Sequence, residues 1–255
     1  MSRKKRYNYN NLKLIACALF IGALILALLQ WINSRKVKFV HYDAFGIDMP
    51  VAYSIHGIDV SRYQKKIAWQ GVKEMNVDNI QLNFAFIKAT EGQGLTDKYF
   101  KTNWRNAKKQ EIARGAYHFF IASQDPVKQA EYFISRVKLM PGDLPPVLDA
   151  EQASILPVNA FRQKIRAWLA VVETHYKVKP IIYTNADFYK KYLGPEFNEY
   201  PLWVAHYYEK RKPRINRDWT FWQHNDLGNV NGIDAKVDFN VFNGDIVAFN
   251  ALLIK

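Results

Sequence analysis

Eight strand-like runs recur along the chain at spacings that few folds satisfy. They begin at Gly57, Phe84, Gly115, Pro146, Pro180, Pro201, Trp219 and Val237. The first five starts lie 27, 31, 31 and 34 residues apart, which is the room needed for a strand, a crossover helix and a parallel neighbour. Helix signals fall in those gaps. Asp125 is an N-cap residue followed by Pro126, and Pro157 opens a stretch with Phe161, Ile165, Trp168, Leu169 and Val172 at helical spacing. After the fifth run the spacings drop to 21, 18 and 18, too short for a full helix in every gap. The pattern predicts an α/β fold: an irregular TIM-like barrel with five β/α units followed by three strands.

Ahead of this rhythm, Leu14 to Ile32 is a run of 19 residues without a charge, roughly 28 Å of helix and about the thickness of a bilayer's hydrocarbon core. A cleaved signal peptide has a shorter apolar region, about 7–15 residues, ending in a small-x-small site, and none stands near Gln30 to Ser34. The segment therefore reads as an uncleaved, single-pass transmembrane helix. Arg3, Lys4, Lys5, Arg6 and Lys13 precede it and Arg35, Lys36 and Lys38 follow. The positive-inside tendency then gives a basic cytoplasmic tail over 1–13, an anchor over 14–32, a juxtamembrane linker over 33–55 and a barrel over 56–255. The barrel would lie in a bacterial periplasm or outside the cell. Cys17 is the lone cysteine, so the exported part can form no internal disulfide, which suits a bacterial setting.

The formal charge of +13 suggests nucleic acid until it is located. The first 40 residues hold eight basic side chains and no acidic one, leaving 28 basic against 23 acidic in the other 215. The charge belongs mainly to the N-terminal address, and nucleic acid is not an expected partner.

In barrels of this kind, active sites form at the C-terminal ends of the strands. The fourth run, Pro145 to Glu151, is apolar until it ends in two acids two residues apart. With a side-chain period of two, Val147, Asp149 and Glu151 share one side while Leu148 and Ala150 face the helices. Asp59 ends the first strand and Asp238 lies in the eighth, which barrel closure makes its neighbour. Crowded carboxyls raise one another's pKa, so one stays protonated while another is ionised. That division suits glycosidic-bond cleavage: a proton for the leaving oxygen and negative charge beside the developing oxocarbenium centre.

The runs Gly57-Ile58-Asp59-Val60-Ser61-Arg62-Tyr63-Gln64, Phe86 to Gly92, Gly115 to Phe119, Leu148 to Glu151, Ile182 to Thr184, Leu202 to Ala205, and Trp222-Gln223 followed by Val237 to Asn240 resemble, in that order, glycoside hydrolase family 25. The resemblance covers about residues 56–245. It implies a lysozyme (N-acetylmuramidase) that cuts the β-1,4 bond after N-acetylmuramic acid in peptidoglycan glycan strands, on an irregular barrel, without metal or cofactor. By the same resemblance Glu151 is the general acid/base and Asp149 stabilises a positively charged intermediate, while Asp59 and Asp238 complete the acidic floor. Retention through the substrate's own acetamido group, retention through a carboxylate nucleophile, and inversion through an activated water all stay open at this point.

Tyr63, Tyr117, Tyr183, Trp203 and Trp222 are candidate sugar-stacking residues, because flat rings match the apolar faces of pyranoses. Lys88 and Glu91 read as supports for the barrel interior and rim. Gly-Ile-Asp also occurs at Asp48 and Asp234; the first reads as a turn residue in the linker and the second as part of the loop entering the last strand. The six histidines show no His-Glu-x-x-His pattern, and there is no Gly-x-Ser-x-Gly elbow, Walker loop or complete dinucleotide motif. Two alternatives remain from the residues: a hydrolase of another acetamido-sugar polymer such as chitin, and a non-catalytic wall-binding protein.

Overall fold

A computed structural model describes residues 9–34, 38–153 and 155–255. Helix α1 spans Tyr9–Ser34. Its stretch Lys13–Trp31 is long and apolar enough to cross a membrane, and none of it is buried against the rest of the chain. The tail expected over 1–13 lies mostly outside the described residues.

Eight strands close into a barrel: β1 (His56–Val60), β2 (Ile80–Glu91), β3 (Ala113–Phe119), β4 (Val147–Asp149), β5 (Ile181–Asn185), β6 (Leu202–Ala205), β7 (Phe221–Val230) and β8 (Ile233–Phe242). Neighbours from β1 to β7 run parallel. The eighth departs from the TIM pattern, pairing antiparallel with both β7 and β1. The cause is local: Asn231-Gly232 joins Val230 to Ile233 in a two-residue turn, with Gly232 at φ +86°, and so tight a connection can only reverse the chain. Asp234 accordingly lies inside β8, not in a loop before it.

The connections follow the spacing. Helix α2 (Trp69–Glu74) follows β1, α3 (Phe100–Lys109) follows β2, α4 (Pro126–Arg136) follows β3 and α5 (Val158–Tyr176) follows β4. After β5 the chain makes one short helix, Ala186–Phe188, and a π turn, Tyr189–Leu193. Asp125 caps α4 by accepting from the Val127 and Lys128 amides at 2.8 and 3.0 Å. The buried stripe of α5 is Phe161, Ile165, Trp168, Leu169 and Val172.

Two apolar layers result. The lumen is filled by Phe84, Phe86, Val147, Ile181, Trp203, Phe221 and Phe242. The second layer, between sheet and helices, holds Ile58, Ala85, Ile87, Leu148, Ala150 and Val204. Large rings fit the narrow lumen because glycines face them. A Cβ on Gly57 would come within 2.5 Å of the Phe84 ring, and one on Gly115 within 2.5 Å of the Phe86 ring.

The stretch read as a juxtamembrane linker is folded. Phe39–Tyr42 and Ile47–Pro50 pair as an antiparallel hairpin on the outer face of β7 and β8, which no full helix covers. Phe45 meets Phe239 at 5.3 Å between ring centroids, Phe39 meets Trp222 at 6.0 Å, and the Asn229 amide donates to the Phe45 carbonyl at 2.8 Å.

Candidate active site

The reversed eighth strand sets the site. Because β8 runs against β1, Asp238, midway along β8, stands in register with Asp59 at the end of β1, at the rim where the parallel strands finish. Across the barrel β4 stops at Asp149. The backbone stays paired one residue further, the Ala150 amide donating to the Tyr183 carbonyl at 2.9 Å. Glu151 is therefore carried by the loop, not by the strand that the period-two pattern extends to it. Its carboxyl is still close enough to push Asp149 and Asp238 upward, so the four acids form one electrostatic group.

Asp59 is the most tightly held. Its Oδ2 accepts from Gln223 Nε2 at 2.7 Å and from Asn240 Nδ2 at 2.8 Å. The orientation of Asn240 is fixed from behind: Trp203 Nε1, which can only donate, bonds its Oδ1 at 2.7 Å, so the amide N–H2 must face the acid. Gln223 Oε1 accepts from the hydroxyls of Tyr183 and Tyr207, at 2.8 and 2.7 Å. Trp203 in turn stacks on Phe86 at 4.2 Å. A rigid aromatic column thus locks two amides, and the amides lock a carboxyl.

Burial dominates the electrostatics. It pushes Asp59 well above the ordinary carboxylate range, with Asp238 adding to the effect, and it pushes Asp238 up to about 6. Asp149 is driven well up by burial and then by Glu151; its Oδ1 is buried without a hydrogen-bond partner. Glu151, less enclosed than the others, is raised by burial. Lys88 opposes the rise at both Asp149 and Glu151. Its ammonium bonds Glu91 Oε2 at 2.7 Å and sits 4.6 Å from the centre of the Phe119 ring.

Of the aromatic candidates, Tyr117 and Tyr183 lie in the mouth, where the Tyr117 hydroxyl feels Asp59, Asp149 and Asp238 together. Tyr63 is 70% exposed on the turn Arg62–Gln64 just past β1. Trp203 lies beneath the acids as their support. Trp222 is on the other side of the sheet: Phe221 and Gln223 point inward, so Trp222 points out, fully buried among Phe39, Tyr53 and Trp219. Its expected place in the sugar groove is corrected by that alternation. The sequence reading assigned no role to Gln223, Asn240 and Tyr207. Gln223 and Asn240 stand in strands that hold several other polar residues, so no local pattern singles them out.

Residues 58–233 match Glycosyl hydrolases family 25. The chain belongs to this family. As a family 25 member it is a glycoside hydrolase, and the fold places it among solved relatives. A family 25 glycosyl hydrolase from Bacillus anthracis superposes with a TM-score of 0.71 at 31% identity, covering 85% of this chain and 97% of that one. Lysozyme M1 of Streptomyces globisporus is 35% identical over 214 residues, 78% of this chain and 71% of its own. YegX of Escherichia coli (strain K12), an uncharacterized protein, is 47% identical over 210 residues, 82% of this chain and 77% of its own. The family 25 match begins at residue 58, so the hairpin and α1 precede it.

Proposed function

We propose that this glycoside hydrolase is a muramidase that cleaves the β-1,4 bond between N-acetylmuramic acid and N-acetylglucosamine in peptidoglycan. The observation that carries the reading is the acid cluster at one barrel rim, with Asp149 and Glu151 both raised by burial and Glu151 adding to the rise at Asp149. Likeness to a protein named lysozyme supports the substrate class.

Two neighbouring carboxyls that resist joint ionisation share one proton. In the free enzyme burial favours the proton on Asp149; with substrate bound it passes to Glu151, the more accessible, which donates it to the leaving glycosidic oxygen. Asp149 is then the ionised partner, and its unpartnered Oδ1 accepts from the N–H of the substrate's acetamido group. The acetamido oxygen attacks the anomeric carbon as the C–O bond breaks. Glu151, now a base, removes a proton from a water that opens the cyclic intermediate, so configuration is retained. The Asp59–Asp238 pair binds sugar hydroxyls at the floor, and Tyr63, Tyr117 and Tyr183 contact ring faces and edges. Helix α1 anchors the enzyme in a bacterial membrane with the barrel outside the cytoplasm.

The test is hydrolysis of purified peptidoglycan with product analysis. Wild type releases fragments with reducing muramic acid ends, and Glu151→Gln lowers the rate by a factor of about 10² to 10⁴, the range of a lost general acid. Equal cleavage by the variant overturns the assignment; reducing glucosamine ends overturn the bond.

A further inference from the structure

Beside the acids, the pairing of β7 with β8 is twice irregular. Gln223 pairs with Asn240, Asn225 with Phe239 and Gly228 with Val237, so β7 uses one residue more than β8 in each interval. Such bulges re-aim side chains and gather next to active sites. In the second interval Asp226 and Leu227 together oppose Asp238. The Asn225 side chain holds this bulge, its Oδ1 accepting from the Leu227 amide at 2.8 Å. Asp226 consequently stands near enough to Asp238 to push that carboxyl up. Among the described residues no cation pairs with Asp226. Its Oδ1 accepts from the Tyr208 hydroxyl, which leaves Oδ2 open.

Tyr208 is 61% exposed, yet it is fixed at both ends. Its amide donates to the His224 carbonyl at 3.2 Å and its hydroxyl to Asp226. Its backbone lies at φ +53°, a left-handed conformation uncommon for a bulky residue. The Tyr207 ring lies 6.4 Å away, with its own hydroxyl on Gln223 at 2.7 Å. Both hydroxyls feel Asp238. The two rings therefore continue the aromatic lining of the site outward from the acids along β6 and β7. A fixed, exposed ring with a carboxylate at its edge matches one unit of an acetamido-sugar polymer: the ring covers the C–H face of a pyranose and the carboxylate takes hydroxyl or amide hydrogens at its rim.

We infer that Tyr208 and Asp226 form a further sugar subsite flanking the acid cluster, the Tyr208 ring stacked on a pyranose unit of the glycan strand and Asp226 Oδ2 accepting from that unit's hydroxyl or acetamido N–H. The inference rests on the muramidase reading and deepens it. The pair contributes binding of the strand and not the proton transfers.

The test uses the full chain in detergent on glycan strands stripped of stem peptides. At φ +53° glycine is the replacement that removes the ring without strain, so Tyr208→Gly keeps the wild-type melting temperature. Its KM rises about tenfold, the scale of a lost aromatic contact, while kcat holds, as for an interaction made equally in ground and transition states. Tyr208→Phe and Asp226→Asn each raise KM about threefold, the scale of one lost hydrogen bond. An unchanged KM in Tyr208→Gly overturns the inference, as does a fall in kcat alone. If that variant fails to fold, the KM values of Tyr208→Phe and Asp226→Asn decide in the same way. Titration with an N-acetylglucosamine hexamer in the Glu151→Gln background separates the subsite from the chemistry: adding Tyr208→Gly weakens binding about tenfold, and equal binding, or none by either protein, overturns the subsite. If wild type cleaves no strand, the muramidase reading fails, and this titration still decides the subsite.

Discussion

At the scale of single residues, the site is a carboxyl held by amides that are themselves held by aromatic donors. Asp59 is buried and raised in pKa by that burial and by Asp238. A carboxyl whose folded pKa lies above its unfolded one contributes stability that is complete below the unfolded value and is lost as pH rises through the folded value. Asp238 loses its share between about 4 and about 6, and Asp59 continues the decline above that. The wild-type melting temperature should therefore fall from mildly acidic toward alkaline pH. Asp59→Asn keeps an acceptor for Gln223 and Asn240 without the charge. Its melting temperature should exceed wild type by a few degrees at pH 8, converge with it at pH 4, and come with loss of cleavage. A thermal melt series against pH checks this; parallel curves would show that the pair does not titrate on folding. The meeting of Asp59, Asp149 and Asp238 was legible in strand order, whereas Glu151 arrives on a loop beyond the strand that alternation extends to it. Gln223 and Asn240 were not legible, since their importance comes from Tyr207 and Trp203, partners set by barrel closure and not by any local pattern.

At the scale of elements, the lumen is filled by pairing no side chain with a large one. Gly115 on β3 faces Phe86 on β2, and the next ring inward is Trp203. Gly115→Ala pushes Phe86 against Trp203, and Trp203 holds Asn240. The substitution should cost about 1–3 kcal/mol in chemical denaturation, the usual size of overpacking, and lower activity more than the stability loss alone explains. A substitution that lowers stability with full activity in the folded fraction would uncouple the column from the acids. The strand order and the helices α4 and α5 could be read from caps and periodicity. The reversal of β8 also had a signal, the Asn231-Gly232 turn, but spacing alone treats a hairpin and a short crossover alike. Trp222 was misplaced for a related reason: alternation gives two faces, and only the neighbours tell which one is the lumen.

At the scale of the whole molecule, the hairpin makes the N-terminal segment part of the enzyme body. It covers the strands that lack helices. Four residues separate Ser34, the end of α1, from Phe39, the first residue of the hairpin, a path of ~17 Å at full extension. With α1 in a bilayer, as proposed, the barrel hangs on a very short leash and grazes only the strands nearest the lipid. Ten Gly/Ser residues inserted ahead of Lys38 add roughly 17 Å of average reach. Vesicle-anchored enzyme carrying that insert should digest added wall fragments faster than wild type, with equal rates once both are dissolved in detergent. Under the proposed anchoring and activity, the hairpin's tight seat on the barrel becomes a ruler that confines cutting to newly exported or innermost material and spares the outer layers of the wall.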